Sequence, residues 1–124
     1  MPIARLIATV LDCPDPSVLG RFYAQLLGGT VAFEDEGWAQ VNGPEGRAVL
    51  ACQRADGYEP PTWPQGSRPQ YLHLDVAVDD LDAAEPEVVA LGATKAAVQP
   101  NPEEFIVYFD PAGHPFCTVL MPSK

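Results

Sequence analysis

The chain has 124 residues, 47% of them hydrophobic, which is enough apolar material for one packed core and excludes a disordered polypeptide. Seven Lys and Arg stand against 17 Asp and Glu, a formal charge of −10, so a nucleic-acid partner and an anionic membrane surface are both disfavoured. No apolar run approaches the roughly 18 residues of a membrane span. The start, MPIARLIATVLDCPDP, lacks a basic n-region and a small-residue cleavage site, so the expected location is cytoplasmic.

The elements follow in chain order. Residues 3–11 (IARLIATVL) are apolar and branched and predict a strand. Asp15 then reads as a helix N-cap with Pro16 at the first helical position. Val18, Leu19, Phe22 and Leu26 recur at helical spacing, and Gly28 and Gly29 end the helix. Three short strands are expected at Thr30–Glu34, Trp38–Val41 and Arg47–Gln53, separated by Gly-rich and acidic turns. Residues 55–69 (ADGYEPPTWPQGSRP) hold four prolines and two glycines, a density that no regular element survives. This crossing segment nevertheless carries Tyr58 and Trp63.

After it the pattern restarts. Tyr71–Val78 reads as a strand, and Asp79 or Asp80 caps a helix bearing Leu81, Ala84, Val88 and Leu91, closed by Gly92. Pro86 lies inside this pattern, so the helix either begins late, near Asp82, or bends there. Strands near Thr94–Val98, Phe105–Asp110 and Phe116–Met121 complete the chain. The spacing from Asp15 to Gly28 equals that from Asp79 to Gly92. The turn Gly43–Gly46 resembles Asp110–Gly113 in place and composition. A repeated unit of this length is strong evidence of architecture. The expected fold is α+β, a single domain of two βαβββ modules (residues 1–54 and 70–124, joined by 55–69), whose bare sheet faces curl around a shared cleft.

Three cysteines, Cys13, Cys52 and Cys117, form no C-x-x-C pair and read as reduced, buried thiols. FYAQLLGG (22–29), YLHLDVAVDDLDAA (71–84), ALGA (90–93) and DPAGHPFC (110–117) together resemble the vicinal-oxygen-chelate superfamily of glyoxalases, extradiol dioxygenases, fosfomycin-resistance enzymes and bleomycin-binding proteins. The stretch PPTWPQGSRPQYLHLDV is similar to a bacterial glyoxalase-like branch. The resemblance implies an open, cleft-shaped barrel. In the metal enzymes four side chains on the first and last strands of both modules bind one divalent ion, which polarises vicinal substrate oxygens.

Carried over position by position, the resemblance gives His73 on the first strand of the second module and Cys117 on its last. The first module offers Ala8 (or Thr9) and Leu50, or Cys52 after a slip of two residues. Two donors do not make a stable metal site, so no cofactor and no resident metal are expected, and a soft Cys52–His73–Cys117 site is the alternative. Asp75, two residues from His73, shares its strand face and is placed to orient a proton transfer. His114 falls in a turn, and Cys117 is a candidate nucleophile if His73 stabilises its thiolate. Trp38, Trp63, Tyr71, Phe105 and Tyr108 are candidate cleft aromatics. The expected ligand-binding set is therefore His73, Asp75, Cys117, Trp38, Trp63, Tyr71 and Tyr108. The reading is a small-molecule-binding protein that sequesters an apolar or aromatic compound. A lyase, isomerase or dioxygenase of the same superfamily, with His73 as ligand or acid/base, is the alternative. A homodimer is expected, since closed two-fold pairs are the commonest way to cover sheet edges.

Overall fold

The computed structural model describes residues 2–120 and divides into two compact units, residues 1–58 and 59–124. Each is a βαβββ module, so the fold is α+β with the expected tandem repeat. The division falls inside the proline-rich segment, and most of that segment belongs to the second unit.

In the first unit, β1 (Thr9–Cys13) leads into α1 (Pro16–Leu27), followed by β2 (Thr30–Glu34), β3 (Trp38–Asn42) and β4 (Ala48–Arg54). The sheet order is β1-β4-β3-β2, with β1 parallel to β4 and the other pairs antiparallel. The Asp15 carboxylate caps α1 by accepting the N–H groups of Ser17 and Val18 at 3.1 and 3.4 Å, which satisfies donors the helix itself leaves open. Gly28 ends the helix in the left-handed region, φ 71°, where a side chain is costly. The buried face of α1 carries Leu19, Phe22, Tyr23 and Ala24. Val18 is exposed and Leu26 half-buried, so the apolar stripe is rotated from the expected one.

The second unit repeats the plan with β5 (Leu74–Val78), α2 (Leu81–Ala90), β6 (Thr94–Lys95), β7 (Phe105–Phe109) and β8 (Pro115–Leu120), in the order β5-β8-β7-β6. Asp80, not Asp79, caps α2 through the Ala83 N–H at 2.9 Å. The helix runs from Leu81 through Pro86 without starting late. The Met121 end of the last expected strand lies outside the described residues.

Both opening strands are shorter than their apolar sequence suggests, for one reason. Thr9 pairs with Leu50, and Leu74 with Phe116. Leu50 is the third residue of β4 and Phe116 the second of β8, so the residues before Thr9 and Leu74 stay out of the ladder. Ile3, Leu6 and Ile7, and likewise Tyr71 and Leu72, are therefore extended and exposed. The expected strand at 94–98 stops at Lys95. Beyond it the Gln99 side chain takes over the ladder, donating to the carbonyls of Ala96 and Val107 and accepting the Val107 N–H, each at 2.9 Å.

Candidate functional site

The registers decide which side chains share a face. In the first unit α1 lies over the Ala39 and Val41 side of the sheet, where a Cβ at Gly20 would come 3.0 Å from Ala39 Cβ. Cys52 pairs with Ala39, and Leu50 with Val41, so both face the helix, and Cys52 is fully buried there. This overturns the assignment of Leu50 or Cys52 as a cleft-facing donor. The N-caps Asp15 and Asp80 set the repeat offset, and Thr9 then matches Leu74. Their partners Leu50 and Phe116 match in turn. The first-unit counterpart of Cys117 is thus Ala51, and that of His73 is Ala8. Trp38 alternates with Ala39 and lies on the face away from α1, half-buried.

In the second unit Tyr108 and Phe116 stack at 5.5 Å and both are fully buried. Burial first, then the charge of Glu85 on α2, raises the Tyr108 pKa, and the Thr118 hydroxyl tempers the rise. Tyr108 therefore belongs to the helix side of the sheet, away from the face that carries Cys117 and Val107. Tyr71 is almost fully exposed ahead of β5. His114 sits in the turn before β8, where the buried Asp110 carboxylate accepts its N–H at 3.0 Å and that of Ala112 at 2.9 Å.

The opposite face collects the remaining candidates. Asp75 pairs with Cys117, which pairs with Val107, so the three form one row across the sheet. His73 Nε2 lies 3.3 Å from Asp75 Oδ1, and donor atoms of His73, Asp75 and Cys117 all lie within 4.8 Å of one another. Burial, then the adjacent Asp75 carboxylate, push the Cys117 thiol's pKa up to about 11. Cys117 is a protonated thiol, not a thiolate activated by histidine, which removes the nucleophile reading.

A cavity of about 210 Å³ opens beside this row, lined by Trp63, Gln70, His73, Phe105, Val107 and Cys117 among others. Trp63 is held over it by the loop that sequence marks only as proline-rich. Thr62 N–H donates to the Arg68 carbonyl at 2.6 Å, and Arg68 returns its N–H to Thr62 Oγ1 at 3.0 Å. Arg68 Nε donates to the Pro60 carbonyl at 2.9 Å, and Arg68 pairs with Glu59 at 3.3 Å. Pro60 in turn packs over Gly113, where a Cβ would fall 2.6 Å from its own and φ is 88°. The loop is thereby pinned to the turn before β8. Trp63 meets Phe109 edge-on at 6.2 Å. Gln70, unmarked by any sequence signal, also lines the cavity, and its buried Oε1 has no partner among the described residues.

Residues 8–119 match the family model of the glyoxalase-like domain. The chain belongs to this family. At the level of sequence no curated protein matches it. Among solved structures it is similar to a possible glyoxalase from Bacillus cereus (12% identity, 93% of this chain and 97% of that one, TM-score 0.67). It is also similar to the bleomycin-binding protein of Streptomyces verticillus (20%, 98% and 100%, TM-score 0.61) and to the fosfomycin-resistance protein FosX of Mesorhizobium loti (17%, 98% and 95%, TM-score 0.63). These likenesses show a shared fold. The four-donor metal site implied by the resemblance does not fit this chain, because Ala8 and Ala51 carry no lone pair for a metal.

Proposed function

We propose that the chain binds a compact apolar or aromatic molecule in the cavity of its second unit and holds it without transforming it. The observation that carries this reading is the cavity itself, lined mostly by apolar side chains, Trp63, Phe105, Val107 and two prolines among them, with Gln70 and His73 as polar members. Its 210 Å³ falls below the roughly 300–1,000 Å³ of drug-sized sites, which favours a single-ring ligand. Its polar lining residues include Gln70, whose Oε1 is an unpartnered acceptor, and His73, whose imidazole pairs with Asp75. An amine or hydroxyl on the ring satisfies them better than a carboxylate does. The bleomycin-binding protein that shares the fold holds copper(II)-bleomycin, and residues 1–124 are read as one binding domain acting in the cytoplasm. Among the described residues no helix is long and apolar enough to cross a membrane.

The test is a melting-temperature screen of single-ring amines, phenols and carboxylates. Amines and phenols are expected to raise the melting temperature, and Trp63→Ala to abolish the rise. A screen without any shift, or a shift that survives Trp63→Ala, overturns the reading. The His73–Asp75 pair favours a second reading, an enzyme of the superfamily with His73 as acid or base. Turnover of a bound compound that is lost in His73→Ala would establish it.

We also propose that the functional unit is a homodimer. The exposed apolar residues Ile3, Leu6, Ile7, Tyr71 and Leu72 favour cover by a second copy. Light scattering is expected to give twice the 13.3 kDa chain mass. A 13-kDa species alone at micromolar concentration contradicts this.

A further inference from the structure

The charges around the cavity of the second unit are lopsided. In residues 59–124 ten Asp and Glu stand against three Lys and Arg. The two described cations are already committed, Arg68 to Glu59 at 3.3 Å and Lys95 to Glu85 at 2.8 Å, and neither lines the cavity. Resting on the reading of this cavity as a ring-binding pocket, we infer that its ligand is an organic cation, a single ring bearing a protonated amine, and that the pocket selects for the positive charge.

The groups at the pocket favour an ammonium over both alternatives. Trp63 and Phe105 belong to the wall, and aromatic rings of this kind attract a cation through their faces. Gln70 Oε1 is buried without a partner among the described residues. As a carbonyl oxygen it accepts an N–H or O–H and gains nothing from a carboxylate. Asp75 stands just behind the wall, with a carboxylate oxygen within 4.8 Å of donor atoms of His73 and Cys117, which both line the cavity. Its charge is felt there, since after burial it is what holds the Cys117 thiol protonated. A neutral hydroxyl gains only the hydrogen bond to Gln70. An ammonium gains that bond, the aromatic rings and the carboxylate. An anion meets an acceptor and a like charge. The Asp75 side chain is 56% exposed, so an ammonium beside it keeps part of its water and avoids the full cost of burying a charge. The same exposure makes the preference sensitive to salt.

The test is calorimetric titration of the full chain at pH 7.5 with three probes of similar shape, benzylamine, benzyl alcohol and benzoate. At low ionic strength benzylamine is expected to bind at least about tenfold tighter than benzyl alcohol, and benzoate not to bind. The ratio should shrink in about 0.5 M salt and in Asp75→Asn. Gln70→Leu should weaken benzylamine binding. Circular dichroism checks that each variant is folded, and the probe and salt comparisons need no variant. Benzyl alcohol that binds as tightly as benzylamine overturns this inference alone and leaves the ring-binding reading standing. A ratio that survives both salt and Asp75→Asn shows selection by shape and also overturns it. No binding by any of the three overturns the inference, and the ring-binding reading falls with it only if the wider melting-temperature screen is silent too.

Discussion

The two units share one plan and divide its tasks. In the first, a 12-residue helix buries six residues, and the positions facing away from it at the start of β1 and in β4 are Ala8, Val10 and Ala51. In the second, the helix has 10 residues, a proline in its interior and only Leu81 and Val88 buried, while the matching positions are His73, Asp75 and Cys117. One copy has the better-seated helix and the other the cluster of His, Asp and Cys side chains. A repeated fold therefore does not imply a repeated site.

The largest effect that can break this contrast is in the first helix. Phe22→Ala removes a ring packed edge-on against Tyr23 at 4.9 Å and is expected to cost about 3–5 kcal/mol in urea denaturation. Val88→Ala in α2 should cost less, about 2 kcal/mol. The reverse order would show that the second helix is the better seated.

The next effect concerns Cys117. A thiol raised from 9.0 to about 11 stays protonated through neutral pH and gains reactivity only as pH climbs toward that value. In chelator-treated protein at pH 8 its alkylation should run about a hundredfold slower than an ordinary thiol's on ionisation alone, two pKa units corresponding to two decades of thiolate. Asp75→Asn removes the carboxylate charge and should speed the reaction. Site-resolved mass spectrometry reads both, and fast alkylation of the parent would contradict the geometry.

Pro86→Ala should stabilise the chain by about 2 kcal/mol. An interior proline costs roughly 3 kcal/mol, partly offset by the unfolded-state freedom it removes. No gain would mean that α2 already accommodates the ring without loss. The smallest effect on stability is at Arg68. Its exposed pairing with Glu59 is worth less than about 1 kcal/mol, so Arg68→Ala should barely move the melting temperature while weakening ring-compound binding, since the Trp63 loop loses its Pro60 and Glu59 contacts.

Much of the fold was legible because caps and glycines are local signals. Asp15, Pro16 and Gly28 bound α1 as read, and the chain-order repeat gave both modules. Strand starts were not legible, because Thr9 and Leu74 are the first residues to pair with Leu50 and Phe116, a pairing set by residues about 40 positions away. The site was half legible. His73 and Asp75 were placed together by the two-residue period of a strand, but their meeting with Cys117 depends on the β5–β8 register. A one-residue error in the repeat offset put Cys52 on the wrong face and hid Ala51. Tyr108 looked like a cleft aromatic because strand alternation alone does not say which face the helix covers. Gln70 carried no signal at all, being a glutamine in a loop.

The central claim is that ligand chemistry is concentrated in the second unit, and the two tryptophans, Trp38 in the first and Trp63 in the second, give one reporter in each. The direct measurement is a pair of indole N–H resonances, assigned with Trp38→Phe and Trp63→Phe, followed while a ring compound that raises the melting temperature is titrated. The account predicts that the Trp63 resonance moves saturably, with the same midpoint as the thermal shift. A compound that stabilises the protein yet leaves the Trp63 resonance in place would contradict it.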